Sequence, residues 1–163
     1  MFDLINGLPV HPLVVHAVVV LLPLAVVGTI AIAVVPRWRG TFGPLVVGIA
    51  LVATVLVPVA TSSGEALEKH VGDPGRHAEL GDQLIWFALP LLLLSAALVW
   101  LSRRSPSEGH GGEAGGVPPR ARLVSAVAAL AVVAGLATAV QVYRVGDSGA
   151  RAAWGDQVGD AGD

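Results

Sequence analysis

The 163-residue chain contains no cysteine. That excludes a disulfide framework, a thiolate zinc site, an iron–sulfur cluster and a covalently attached c-type haem. It also excludes prenyl and palmitoyl anchors, and Phe2 stands where N-myristoylation requires glycine. Charge is scarce as well. Asp, Glu, Lys and Arg make up 13 % of the residues, with a formal net charge of −2, whereas soluble domains sit near a quarter charged. No basic run exceeds Arg103-Arg104, so nucleic acid is not an expected partner. Hydrophobic residues supply 54 % of the chain, and the mean hydropathy is +0.72. The length permits one domain. The apolar excess points to a small integral membrane protein whose partner is the lipid bilayer.

Four apolar runs carry no Asp, Glu, Lys or Arg: 13–35, 43–61, 84–101 and 123–143. A bilayer span needs about 20 apolar residues at a helical rise, and lipid forces such segments to bond their own backbone. The expected fold is an all-α integral membrane four-helix bundle over residues 1–163. Its helices should fall near 13–35, 43–66, 80–102 and 121–144, as two transmembrane hairpins. Between the hairpins, residues 103–120 read as a flexible linker rich in Gly, Ser and Pro, and residues 145–163 as a polar tail. The first run lacks the basic lead and cleavage pattern of a signal peptide.

Cationic residues give the direction. Loops one and three hold Arg37, Arg39, Arg103, Arg104, Arg120 and Arg122, against Lys69, Arg76, Arg144 and Arg151 on the other side. The positive-inside rule then puts both loops in the cytoplasm of a cell membrane and both termini outside. Trp38 and Trp100 fall at one interface, Trp86 and Tyr143 at the other, the depths that amphipathic rings prefer. Pro23, Pro58 and Pro90 lie within spans and should bend them. Ala131, Gly135 and Ala139 form a row of small residues suited to close helix packing. No internal repeat stands out.

Most chemistry-bearing residues fall at the expected outer end. His11 and His16 flank the start of the first span, and His70 and His77 surround the turn signal Asp73-Pro74-Gly75. Five residues along a helix put His11 and His16 on different faces, so a shared site needs His11 to reach in from the helix entry. Glu65 follows the second span closely, and Arg144 to Ala150 brings Asp147 to the same level. His110 sits alone in the linker. Imidazoles and carboxylates from separate helices suit a metal ion or haem. His11, His16 and His77 are the candidate ligands, Glu65 and Asp147 are candidate ligands or orienting partners, and His70 is a weaker candidate. Two other readings stand beside this one: a His/Glu proton relay, and a rim that merely solvates helix ends. Gly146-Asp-Ser-Gly resembles the segment around a trypsin-like nucleophile, but no strands accompany it and no oxyanion hole is visible. No nucleotide-binding loop is present, and no catalytic residue is assigned.

The segments Leu8-Pro-Val-His-Pro-Leu-Val-Val-His, Ser63-Gly-Glu-Ala-Leu-Glu, His77-Ala-Glu-Leu-Gly-Asp and Arg144-Val-Gly-Asp-Ser-Gly-Ala together resemble a bacterial membrane family. It is known only as domain of unknown function two-two-three-one. The resemblance covers nearly the whole chain. It implies four spans and no established activity, and it carries His11, His16, Glu65, His77 and Asp147 as motif positions. Some relatives look joined to redox modules, which favours haem b or a divalent metal ion as a cofactor. The alternatives from other classes are an accessory or scaffold subunit, binding a membrane partner or a second copy through Ala131/Gly135/Ala139, and a small proton- or ion-coupled transporter.

Overall fold

The computed structural model describes the backbone of residues 4–5, 8–71, 75–104 and 118–159, and the side chains of 11–66, 75–104 and 118–152. Two short strands, β1 (Leu4–Ile5) and β2 (Leu8–Pro9), pair antiparallel before the first helix. Six helices follow: α1 (Val10–Val34), α2 (Trp38–Thr41), α3 (Gly43–Val71), α4 (Arg76–Asp82), α5 (Ile85–Arg103) and α6 (Pro119–Gly159). Four stretches are long and apolar enough to cross a membrane: His11–Val34, Gly43–Ala66, Arg76–Arg103 and Pro119–Ala152. The fold is therefore an all-helical four-span bundle. The polar segment 145–159 continues α6 as helix.

Side-chain size decides how the spans meet. A Cβ on Gly28 would lie 2.8 Å from Val46 Cγ2, and one on Gly43 would lie 2.6 Å from Val99 Cγ2. These glycines let α1 approach α3 and α3 approach α5 more closely than any side chain allows. Leu22, Leu91, Leu98 and Val57 fill the interior, while Val20, Val27, Leu45, Leu93, Leu130 and Val133 face outward, where acyl chains would cover them. Gly75 opens α4 at φ 58°, a left-handed conformation that glycine adopts at no steric cost. The α4–α5 junction tightens into shorter bonds, Leu84 N–H to Gly81 O and Phe87 N–H to Leu84 O. The third span thus runs nearly unbroken into the polar end.

At the opposite end, Arg39 is buried. Its Nε and Nη2 each donate at 2.8 Å, to the Ile32 and Ala33 carbonyls. Those carbonyls belong to the last turn of α1, where no intrahelical partner remains. Burial pushes the Arg39 guanidinium below its ordinary value. Arg104 stacks on Trp100, its Cζ 3.9 Å from the ring centre.

The two hairpins share a packing pattern, contrary to the sequence-based expectation of no repeat. Six of the seven buried positions described in α1 have a buried counterpart in α5 or its approach, at the same sequence separation as His11 from His77, Val26 being the exception. The pairs are Val18/Leu84, Leu22/Ala88, Ala25/Leu91, Thr29/Ser95, Ile32/Leu98 and Ala33/Val99. In α3 and α6, Val46/Ala131, Ala50/Gly135 and Ala53/Thr138 are buried at the separation of Gly64 from Gly149. The packed pairs α1–α3 and α5–α6, and α3–α5 and α6–α1, close one ring. Equivalent helices run the same way, so the relating two-fold axis lies along the bundle, the arrangement of parallel repeats.

Candidate functional site

The polar end of the bundle holds a cavity of ≈ 1020 Å³, at the upper edge of ordinary ligand pockets. All four spans line it. Its walls are mostly apolar, with Val15, Val18, Val57, Leu84, Val142 and Val145 among them, and Pro23 also lines it. His11, His16, His77, Glu65 and Asp82 supply its ionisable groups.

The His11 ring is held by α3. Its Nδ1 lies 3.0 Å from the Ala60 carbonyl and 3.1 Å from Ser63 Oγ. Ser63 Oγ in turn donates to Ala60 O at 2.9 Å. A carbonyl oxygen only accepts, so Nδ1 carries the proton and the Ser63 hydroxyl accepts from the same N–H. In the neutral ring this leaves the Nε2 lone pair uncommitted to that clamp. Gly64 makes the arrangement possible, since a Cβ there would lie 3.0 Å from His11 Cε1.

His77 is held the same way by α6. Its Nδ1 lies 3.1 Å from the Val145 carbonyl and 3.2 Å from Ser148 Oγ, and Ser148 donates to Val145 O at 2.9 Å. A Cβ on Gly149 would lie 2.9 Å from His77 Cε1. Carbonyl, serine and glycine stand at positions i, i+3 and i+4 in both helices, on one helical face. They form two copies of one imidazole clamp, related by the two-fold axis. His16 is fixed locally, its Nδ1 N–H donating to the Pro12 carbonyl one turn back. All three rings therefore carry Nδ1–H against a main-chain oxygen, the tautomer-fixing contact that accompanies histidine ligands in metal sites.

The other sequence-derived candidates separate. Glu65 lines the cavity but is exposed at its rim. Asp147 is absent from the cavity lining and pairs with Arg151 on the outer surface, Oδ2 to Nε at 3.0 Å. The His70 side chain and His110 lie outside the described residues. Among the described residues, no three His, Cys, Asp or Glu side chains are grouped as a metal ion would need. Ala131 and Gly135 face the bundle interior, with Ile30 Cγ1 3.0 Å from a Cβ built on Gly135, while Ala139 is exposed.

Sequence reasoning missed the clamp residues Ser63, Gly64 and Gly149, and met Ser148 only as the serine of the protease-like segment Gly146-Asp-Ser-Gly. Their signal is the Ser-Gly dipeptide, which recurs near the end of the second and fourth spans. It also missed Thr29, whose buried Oγ1 has no hydrogen-bond partner.

The chain belongs to a family described as predicted membrane protein (DUF2231), whose model matches residues 7–162. No curated protein and no solved structure matches it.

Proposed function

We propose that the protein is a haem-binding membrane protein, taking a b-type haem into the cavity at its histidine end. The observation that carries this reading is the common state of the three cavity imidazoles. Each has Nδ1–H engaged by a carbonyl, which in the neutral ring reserves Nε2 for an electron-pair acceptor. Haem suits the donor set better than a bare divalent ion. Haem iron needs only one or two axial nitrogens from the protein, whereas a structural or catalytic zinc site takes at least three protein ligands. The mostly apolar walls suit a macrocycle, and the cavity volume accommodates a cofactor of that class. His11 and His77 are the axial-ligand candidates because their clamps hold the rings in place. Bound iron would supply one-electron redox or gas-ligand chemistry, in keeping with a redox or sensing role.

The same reading puts the histidine end on the extracytoplasmic side of the cell membrane, with both termini there. The arginines at the other end of the bundle support that direction. Optical titration of the purified protein in lipid nanodiscs with haemin tests the reading. A saturable Soret shift in the wild type, weakened in His11→Ala and in His77→Ala, is the expected result. No saturable shift in the wild type refutes it.

A further inference from the structure

Most of the cavity wall follows the two-fold relation, with Val19, Pro23 and Ala78 among the residues lacking a lining counterpart. Val15 corresponds to Gly81, Val18 to Leu84, Val57 to Val142 and Ala60 to Val145, at the two separations that relate the hairpins. The histidine clamps obey it too. Among the described residues that line the cavity, ionisable groups break it in two places. His16 occupies the position equivalent to Asp82, and Glu65 the position equivalent to Ala150. One half of the rim therefore carries an imidazole and a carboxylate, and the other a carboxylate alone. A symmetric cavity offers a flat ligand two orientations of equal energy, related by half a turn. Only asymmetric positions can choose between them.

We infer that His16 and Asp82 are the orientation-determining residues of the cavity, holding the anionic edge of an amphiphilic ligand beside His16 and away from Asp82, while Glu65, exposed to solvent at the rim, opposes that choice only weakly. This rests on the haem reading for the identity of the ligand, whose propionates form such an edge. It does not rest on it for the two-fold equivalence of the cavity. Among the described residues, His16 is the cavity histidine without a carbonyl–serine clamp, and its ring is exposed at the mouth. A propionate there lies beside an imidazole, free of a like charge at that position. A propionate at position 82 meets a like charge instead.

Exchange across the axis tests the assignment. His16→Asp leaves carboxylates at 16, 65 and 82, and haemin affinity should fall about tenfold or more, since tenfold corresponds to about 1.4 kcal/mol. The fourfold exchange His16→Asp, Asp82→His, Glu65→Ala and Ala150→Glu rebuilds the same rim turned by half a turn. It should recover affinity to within about threefold of wild type. Asp82→His combined with Glu65→Ala, which removes both asymmetries, should bind haemin in two orientations, seen as doubled haem-methyl signals in paramagnetic proton NMR. A ligand-free readout runs beside these: in ¹⁵N-histidine NMR spectra, the His11 and His77 ring signals should exchange environments in the fourfold variant. The inference is overturned if the fourfold variant, with helical content intact, binds as weakly as His16→Asp, or if His16→Asp binds like wild type. Should wild type not bind haemin at all, the haem reading fails, and the NMR exchange alone decides: interchanged ring signals uphold the two-fold rim, and unchanged ones overturn it.

Discussion

Replacing Gly149 by alanine isolates the clamp from the fold. The added Cβ would lie 2.9 Å from His77 Cε1, while ordinary contact begins at 3.4 Å. The ring must retreat by about 0.5 Å, which carries the Nδ1–carbonyl distance from 3.1 Å to about 3.6 Å, too long for a hydrogen bond. Losing that bond costs about 1 kcal/mol. Alanine in place of a helical glycine returns about 1 kcal/mol. The two nearly cancel, so unfolding in mixed micelles should shift by less than about 1 kcal/mol. The ring should nonetheless change state. In ¹⁵N-histidine NMR spectra, His77 should lose its Nδ1–H tautomer preference while His11 keeps its own. Haemin affinity should fall by about 10- to 100-fold, the usual effect of freeing a ligand histidine from its hydrogen-bond partner. Retention of the Nδ1–H tautomer at His77, or a stability loss of several kcal/mol, would refute the account of the clamp.

Ser63→Ala should cost no more than about 1 kcal/mol of stability, because the Ala60 carbonyl still receives the His11 N–H; urea or micelle unfolding reads it. Gly135→Leu drives a side chain into Ile30 inside the bundle and should cost about 1–3 kcal/mol; a thermal melt showing no loss would contradict the packing. Thr29→Val removes a buried hydroxyl without a partner and should leave stability unchanged or raise it by about 1 kcal/mol. Arg39→Met strips two donors from the last turn of α1 and should cost about 1–3 kcal/mol, and amide exchange should show fraying at Ile32 and Ala33.

The four spans were legible because lipid imposes one rule on every backbone, and a run of uncharged residues such as 84–101 meets it in only one way. The duplication was not legible. Helix interiors in a membrane constrain size and burial rather than identity, so Leu22 and Ala88 serve equivalent places without resembling each other. The linker also stretches the second copy: His11 and Ser63 stand 52 residues apart, His77 and Ser148 71. At the polar end, the histidines themselves were visible as residue types. Their clamps were not, because half of each clamp is a main-chain carbonyl that leaves no mark in the sequence. Gly64 and Gly149 matter for the space they leave, which becomes apparent only when the ring beside them is seen. Asp147 entered the candidate site because the segment Arg144 to Ala150 reaches the level of the histidines. Two successive residues on a helix point about 100° apart, and only Ser148 turns toward His77.

The most direct test of the central claim is the absorption spectrum of the protein purified from membranes of cells supplied with haem precursor, recorded oxidised and then reduced. The account predicts a Soret band that sharpens and shifts on reduction and is lost when both His11 and His77 are replaced by alanine. A spectrum without haem bands in wild-type protein, or bands that survive the double substitution unchanged, would contradict it.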